Sequence, residues 1–260
     1  MKLKPNKLKR ILSEGKVAYG TCINSFNPSI VEIAGLCGLD FCRIDNEHAW
    51  RQDDVLEGLI RAAVIGNISP IVRIDKGNLM LVKKVLEIGA GGFIIPDIEN
   101  AEEVKQIVSA AKFPPFGNRG YSNRCFSGRF GATSHKEYID WSNSETMVGI
   151  MIETEGAVKN IDEIMAVNGL DFILFGPADY SLSIGISEPN KNHQEVQEAI
   201  IKTAKSAQKH KKYAMIGIGS PWKEEAGKYT KMGYNLIELG ADYPLLERAW
   251  KGALNEINNI

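Results

Sequence analysis

The sequence predicts a single-domain (β/α)8 barrel over residues 1–260. Short apolar runs alternate with amphipathic stretches along the whole chain, the runs number eight, and several of them are almost continuously apolar, as strands buried on both faces are. Parallel barrels fill about 250 residues as one domain. An open doubly wound sheet also alternates strand and helix. The count of eight favours closure, and no GxGxxG follows the first strand, which removes the usual dinucleotide signature of the open sheet.

The strands are expected, in order, at VAYGTCI (17–23), LDFCRID (39–45), SPIVRI (69–74), GGFIIP (91–96), MVGIMIE (147–153), LDFILFG (170–176), YAMIGI (213–218) and NLIEL (235–239). The segments between them, roughly 10 to 15 residues of amphipathic pattern, suit right-handed helical crossovers. Two stretches break the rhythm. KFPPFGNRGYSNRCFSGRFGATSHKEYIDW, between strands four and five, reads as a long loop before the next helix, carrying Arg119, Arg124 and Arg129. Its prolines and glycines account for irregular backbone without any function, whereas Arg119 at a barrel mouth would meet an anionic substrate. GPADYSLSIGISEPNKNH, after strand six, holds a short apolar turn before a long helix starting near Gln194. The last helix is expected from about Tyr243 to Asn258, with Leu245, Leu246, Ala249, Trp250, Ala253, Leu254 and Ile257 on one face.

Composition narrows the function. With 31 basic and 32 acidic residues the net charge is -1, so there is no electrostatic footprint for nucleic acid or an anionic membrane. A small-molecule substrate is expected. No apolar run approaches the ~20 residues of a bilayer span, and MKLKPNKLKR leads into no signal-peptide core, so the expected location is the cytoplasm. Cys22, Cys37, Cys42 and Cys125 form no CxxC pair and read as buried free thiols.

Barrel enzymes carry their chemistry at the carboxyl ends of strands. Strand two ends in Asp45, Asn46, Glu47 and His48, strand three carries Arg73, strand five ends in Glu153, and strand six runs into Gly176, Pro177, Ala178 and Asp179. Glu153 and Asp179 come from consecutive strands, and two convergent carboxylates suit a hard divalent cation such as magnesium or manganese. No Cys or His cluster points to structural zinc. His48 is of the residue type that exchanges a proton near neutral pH, and Arg73 can share charge that develops on an oxygen. A cation, a base and an oxyanion partner together suit enolate chemistry on a 2-oxo acid. An imine mechanism needs a lysine on a strand; Lys76 in RIDKGN lies just past strand three in a solvated loop.

At these residues the sequence resembles the HpcH/HpaI family of class II pyruvate aldolases. PSIVEIAGLCGLDFCRIDNEHAW, VRIDKGN, VLEIGAGGFIIPDIENAEEV, FPPFGNRGYS, IETEGAVKNIDEI and GLDFILFGPADYSLSIG follow its motifs in order, from about Gly20 to Gly185. The resemblance implies a barrel, a divalent cation (Mg, Mn or Co), and metal-enolate cleavage of a 4-hydroxy-2-oxo acid to pyruvate and an aldehyde. It also implies a homo-oligomer, often a hexamer, with the last helix exchanged between neighbours. On it, His48 is the catalytic histidine and Arg73 the arginine that stabilises the transition state. Asp45 is a site carboxylate, Glu153 and Asp179 are the metal ligands, and Ala178 offers its backbone to the substrate. Arg73, Gly176, Ala178 and Asp179 are thus expected to bind substrate.

Several positions depart from the family. Glu87 in VLEIGA stands where the family has an Asp that raises the basicity of the histidine, and Met151 stands where a Gln contacts substrate. DNEH replaces DGEH, and Tyr180 replaces the commoner Leu. These changes imply an altered substrate or a weaker aldolase. The expected function is therefore a metal-dependent carbon–carbon lyase. Oxaloacetate decarboxylation, other pyruvate-enolate chemistry, or a non-catalytic oxo-acid-binding barrel are the alternatives.

Overall fold

The computed structural model describes residues 3–49 and 53–258. The chain begins with α1 (Lys7–Ser13), β1 (Ala18–Ile23), α2 (Pro28–Leu36), β2 (Phe41–Asp45), α3 (Asp53–Ile65), β3 (Ser69–Arg73), α4 (Met80–Glu87), β4 (Gly92–Ile95) and α5 (Ala101–Ala111). There follow α6 (His135–Glu145), β5 (Met147–Ile152), α7 (Glu155–Lys159), α8 (Ile161–Met165), β6 (Phe172–Phe175) and α9 (Pro177–Ser183). α10 (Gln194–Lys209), β7 (Tyr213–Ile218), α11 (Trp222–Met232), β8 (Leu236–Ala241) and α12 (Asp242–Asn258) complete it. The strands close in sequence order, all neighbours parallel and β8 pairing with β1. Each of the eight apolar runs holds its strand, and β8 continues past its run to Ala241.

Alternation along the strands divides the core in two. Inward residues Ala18, Phe41, Ile71, Ile94, Met147, Met151, Phe172, Leu174, Met215 and Leu236 fill the barrel, while outward residues such as Ile44, Val72, Phe93, Ile150, Ile173 and Ile216 pack beneath the helices. Each such side chain contributes about 1.5–3 kcal/mol by leaving water. Inward space is shared between large and absent side chains: a Cβ on Gly149 would lie 2.2 Å from the Phe172 ring. Leu8 and Leu12 of α1 complete the inner cluster. α1 therefore plugs the amino end, tied there by the Asn6 side-chain amide, which donates to the Gly91 and Glu145 carbonyls at 2.8 and 3.0 Å.

The long excursion after α5 also belongs to the amino end. Its backbone is pinned to the returning ends of the helices: the Ser127 amide donates to Glu87 O at 3.0 Å, and Lys112 Nζ donates to the carbonyls of Asn143 and Thr146 at 2.9 and 2.8 Å. Arg119 is buried there, donating to Ser142 Oγ and Tyr138 Oη at 3.0 and 3.3 Å with its guanidinium over Phe113. The expectation of Arg119 at the mouth is corrected, because α5 and α6 run back toward the strand starts and carry this loop with them.

Trp250, Leu254 and Ile257 of α12 are 67%, 57% and 66% exposed, so within one chain the expected apolar face is uncovered. The cysteines are all free, with Cys22 and Cys42 buried; Cys37, in the turn after α2, is exposed rather than buried, and Cys125 is half-buried. Among the described residues no helix is long and apolar enough to cross a membrane.

Candidate active site

Asp45 and Arg73 end neighbouring strands in register, so their inward side chains meet at the carboxyl mouth. Arg73 donates from Nε to Asp45 Oδ1 at 3.0 Å and from Nη2 to Oδ2 at 2.6 Å, and its Nη1 lies 2.9 Å from Glu47 Oε2. Asp45 Oδ1 also accepts the amides of Glu47 and His48 at 3.0 and 3.3 Å, folding the segment after β2 back over the strand end. Burial alone raises the Asp45 carboxyl, but the Arg73 hydrogen bonds and charge, the Glu47 amide and the charge of Arg43 outweigh it and bring it to about 2. The His48 side chain stands on the rim, 69% exposed, with Nε2 3.7 Å from Glu47 Oε2. Residues 50–52, which follow, lie outside the described residues.

The opposite wall is acidic. Glu153, just past β5, is 3% exposed, and its Oε1 accepts the Asp97 amide at 2.9 Å. Gly176 presses against it: a Cβ there would sit 2.7 Å from Glu153 Oε2 and 2.9 Å from Glu153 Cβ. Burial lifts the Glu153 carboxyl to about 7; the Asp97 amide opposes this, while the charges of Asp179, Asp97 and Glu47 add to it. Glu47 is raised for the same first reason, burial, against the attraction of Arg73 and His48. Asp179 and Ala178, in the first turn of α9, are exposed at the mouth. The crowding of Glu47, Asp97, Glu153 and Asp179 is what a divalent cation relieves, and an all-oxygen donor set suits magnesium, manganese or cobalt. Glu153 and Asp179 thus fit a sparse cation site; among the described residues no group of three or more His, Cys, Asp and Glu is arranged to hold one.

One expectation changes within a single chain. Glu87 does not meet His48 within a chain: it ends α4, which returns to the amino end before β4, whereas His48 follows the carboxyl end of β2. Its charge is felt instead by Arg119 and Tyr138. Met151 is 4% exposed inside the barrel, where it adds apolar packing and no hydrogen bond. Lys76 Nζ donates to Asp97 O at 2.6 Å and pairs with Glu103 Oε1 at 2.8 Å, which ties it to the β4–α5 loop. Asp97, a strand-end carboxylate in IIPDIE, escaped the reading that picked out Glu153, although the same strand-end rule finds it. A cavity of about 190 Å³ lined by Leu3, Asn6, Asn67, Phe126 and Trp141 lies at the amino end and contains none of these groups.

The model of the family described as HpcH/HpaI aldolase/citrate lyase matches residues 19–249. A 5-keto-4-deoxy-D-glucarate aldolase of Enterobacter sp. (strain 638) is 32% identical over 245 residues, 94% of each chain. Among solved structures, an HpcH/HpaI aldolase from Desulfitobacterium hafniense DCB-2 is 30% identical with a TM-score of 0.89, covering 97% of both chains. Citrate synthase SbnG is also 30% identical, with a TM-score of 0.88, covering 97% of this chain and 98% of its own. Aldolases and lyases of this kind generally depend on a divalent cation. Near-complete coverage, a shared barrel and a charged mouth at the strand ends establish that this chain is an aldolase-class lyase and belongs to the HpcH/HpaI aldolase/citrate lyase family.

Proposed function

We propose that the protein cleaves a 4-hydroxy-2-oxo acid into pyruvate and an aldehyde. The observation that carries this reading is the pairing of two walls across one mouth, a fixed Asp45–Arg73 pair and a buried Glu153 crowded by carboxylates. Glu153 and Asp179 would hold a divalent cation, which would supply Lewis-acid polarisation of the 2-oxo group. His48 takes the proton of the 4-hydroxyl. The C3–C4 bond then breaks, the aldehyde leaves, and the bonding pair passes into the C2–C3 enolate. Arg73, immobilised by Asp45 and Glu47, keeps guanidinium N–H donors for the oxygen that gains charge. Return of that proton from His48 to C3 gives pyruvate. The Gly176–Ala178 backbone and Asp179 border the substrate, and Gly176 leaves room for Glu153. Glu87 has no part in this chemistry within one chain.

The same residues serve the reverse addition, and a neighbour named citrate synthase supports a reading in which the enolate meets another acceptor. Pyruvate release from a panel of 4-hydroxy-2-oxo acids, including 5-keto-4-deoxy-D-glucarate, and from oxaloacetate separates these. Turnover of a hydroxy oxo acid at least tenfold above oxaloacetate is expected; turnover of oxaloacetate alone overturns the aldolase reading. Uncovered Trp250, Leu254 and Ile257 support a homo-oligomer, and light scattering at the mass of a single chain would contradict it.

A further inference from the structure

Asp97 sits in the left-handed region of backbone space, at φ 57°, directly beside the acidic wall. A residue with a side chain adopts that conformation at a cost and keeps it only where the surroundings impose it. Here they do so from the ends of three strands. Thr154, just past β5, donates from Oγ1 to Ile98 O at 3.1 Å, and Ile98 is fully buried. Lys76, just past β3, donates from Nζ to Asp97 O at 2.6 Å. The Lys76 ammonium is braced in turn by Glu103 Oε1 at 2.8 Å, in the first turn of α5, and Glu103 Oε2 accepts the Glu99 amide at 2.8 Å. The amide of Asp97 donates to Glu153 Oε1 at 2.9 Å. Lys76 thus holds the carbonyl side of Asp97 while Glu153 takes its amide side, and the left-handed turn is clamped from both ends.

As a partly exposed ion pair, Lys76 and Glu103 contribute little to stability, because water screens them and two long side chains must be ordered. What the pair reaches gives it a different use. Groups that hold a metal ligand from behind set its orientation and with it the affinity of the site. Building on the assignment of Glu153 to the cation site, we propose that Lys76, braced by Glu103, is a positioning residue: it clamps Asp97 in its left-handed conformation, so that the Asp97 amide holds Glu153 Oε1 and leaves the second oxygen for the cation. Every link is a direct contact, from Glu103 to Lys76, from Lys76 to Asp97 and from Asp97 to Glu153. Lys76 then serves the site with its ammonium spent on Asp97 and Glu103, and with no covalent step.

The test uses the full-length protein with Lys76→Met, which keeps the length of the side chain and removes the donor, and with Lys76→Gln should the first variant fail to fold. In metal-free protein, hydrogen exchange at the Asp97 amide, followed by NMR, should quicken at least about tenfold, while Ile94 and Ile95 of β4 keep their protection. With manganese or magnesium alone, calorimetry should show Kd weakened about tenfold. Lys76→Arg still carries a donor to the carbonyl and should stay within about threefold of the wild type in both measurements. Exchange at Asp97 that quickens no more than at Ile94 and Ile95, an unchanged Kd in a folded Lys76→Met protein, or a loss in Lys76→Arg as large as in Lys76→Met overturns the proposal. Absence of cation binding by the unaltered protein sinks the assignment of Glu153 instead, and exchange at Asp97 still decides whether Lys76 clamps that residue.

Discussion

Arg73 grips Asp45 edge-on, with both guanidinium-to-carboxylate contacts at 3.0 Å or less, and the same Asp45 oxygen that takes Nε also takes two amides of the segment leading to His48. One carboxylate thus orients both Arg73 and the segment bearing His48, the proposed oxyanion partner and base.

Asp45→Asn should therefore lower kcat by about 10²-fold, and it should destabilise the barrel by about 3 kcal/mol in urea unfolding, because it leaves the buried Arg73 without its main counter-charge. The folded Asp45 carboxyl lies near 2, below its ordinary value of about 3.9. Its stabilisation is present above pH ~4 and disappears as pH falls through ~2. The unfolding free energy of the wild type should fall across that window, and that of Asp45→Asn should change less. Equal slopes would contradict the pairing.

His48→Ala should reduce turnover by about 10²- to 10⁴-fold while metal binding, measured by calorimetry, persists. Glu87→Gln, at the amino end, should leave the acidic limb of the rate profile where it is. A limb moved to lower pH would contradict this and point to Glu87 of a neighbouring copy acting on His48.

The metal-free protein carries a pH signature of Glu153, whose carboxyl rises to about 7 from an ordinary value near 4.5, chiefly through burial. The folded state then holds a proton that the unfolded state has released, so stability contributed below pH ~4.5 is lost as pH climbs through ~7. In EDTA the Tm should fall over that range, and Glu153→Gln should flatten the fall. Metal affinity should rise over the same range, since the cation displaces the proton. A pH-independent Tm in EDTA would argue against a buried, crowded Glu153.

Gly176→Ala places a methyl group 2.7 Å from Glu153 Oε2, so Glu153 must move. A 10- to 100-fold weaker metal Kd is expected, with a Tm close to that of the wild type. Unchanged affinity would mean that Glu153 is not held by this contact.

Strand periodicity and the strand-end rule made the barrel and most of its mouth legible in the sequence. Asp45, Arg73, Glu153 and Asp179 each follow or end an apolar run, and the order of the runs settles which of them are neighbours. Within one chain the direction of α4 puts Glu87 at the far end of the barrel from His48, a relation that motif resemblance does not carry. The Arg119 loop was misplaced for the same reason. Arg43 was visible as a charge inside LDFCRID, but its partner Glu238 lies 195 residues away, and only barrel closure through β1 brings them together.

The central claim is that Glu153 and Asp179 hold the cation on which cleavage depends. Its most direct test is the rate of pyruvate release by EDTA-stripped protein titrated with magnesium, manganese or cobalt, set beside Glu153→Ala. The account predicts loss of turnover on stripping, recovery with added cation, and no recovery in the folded Glu153→Ala protein. Full turnover in protein shown to be free of metal would contradict it.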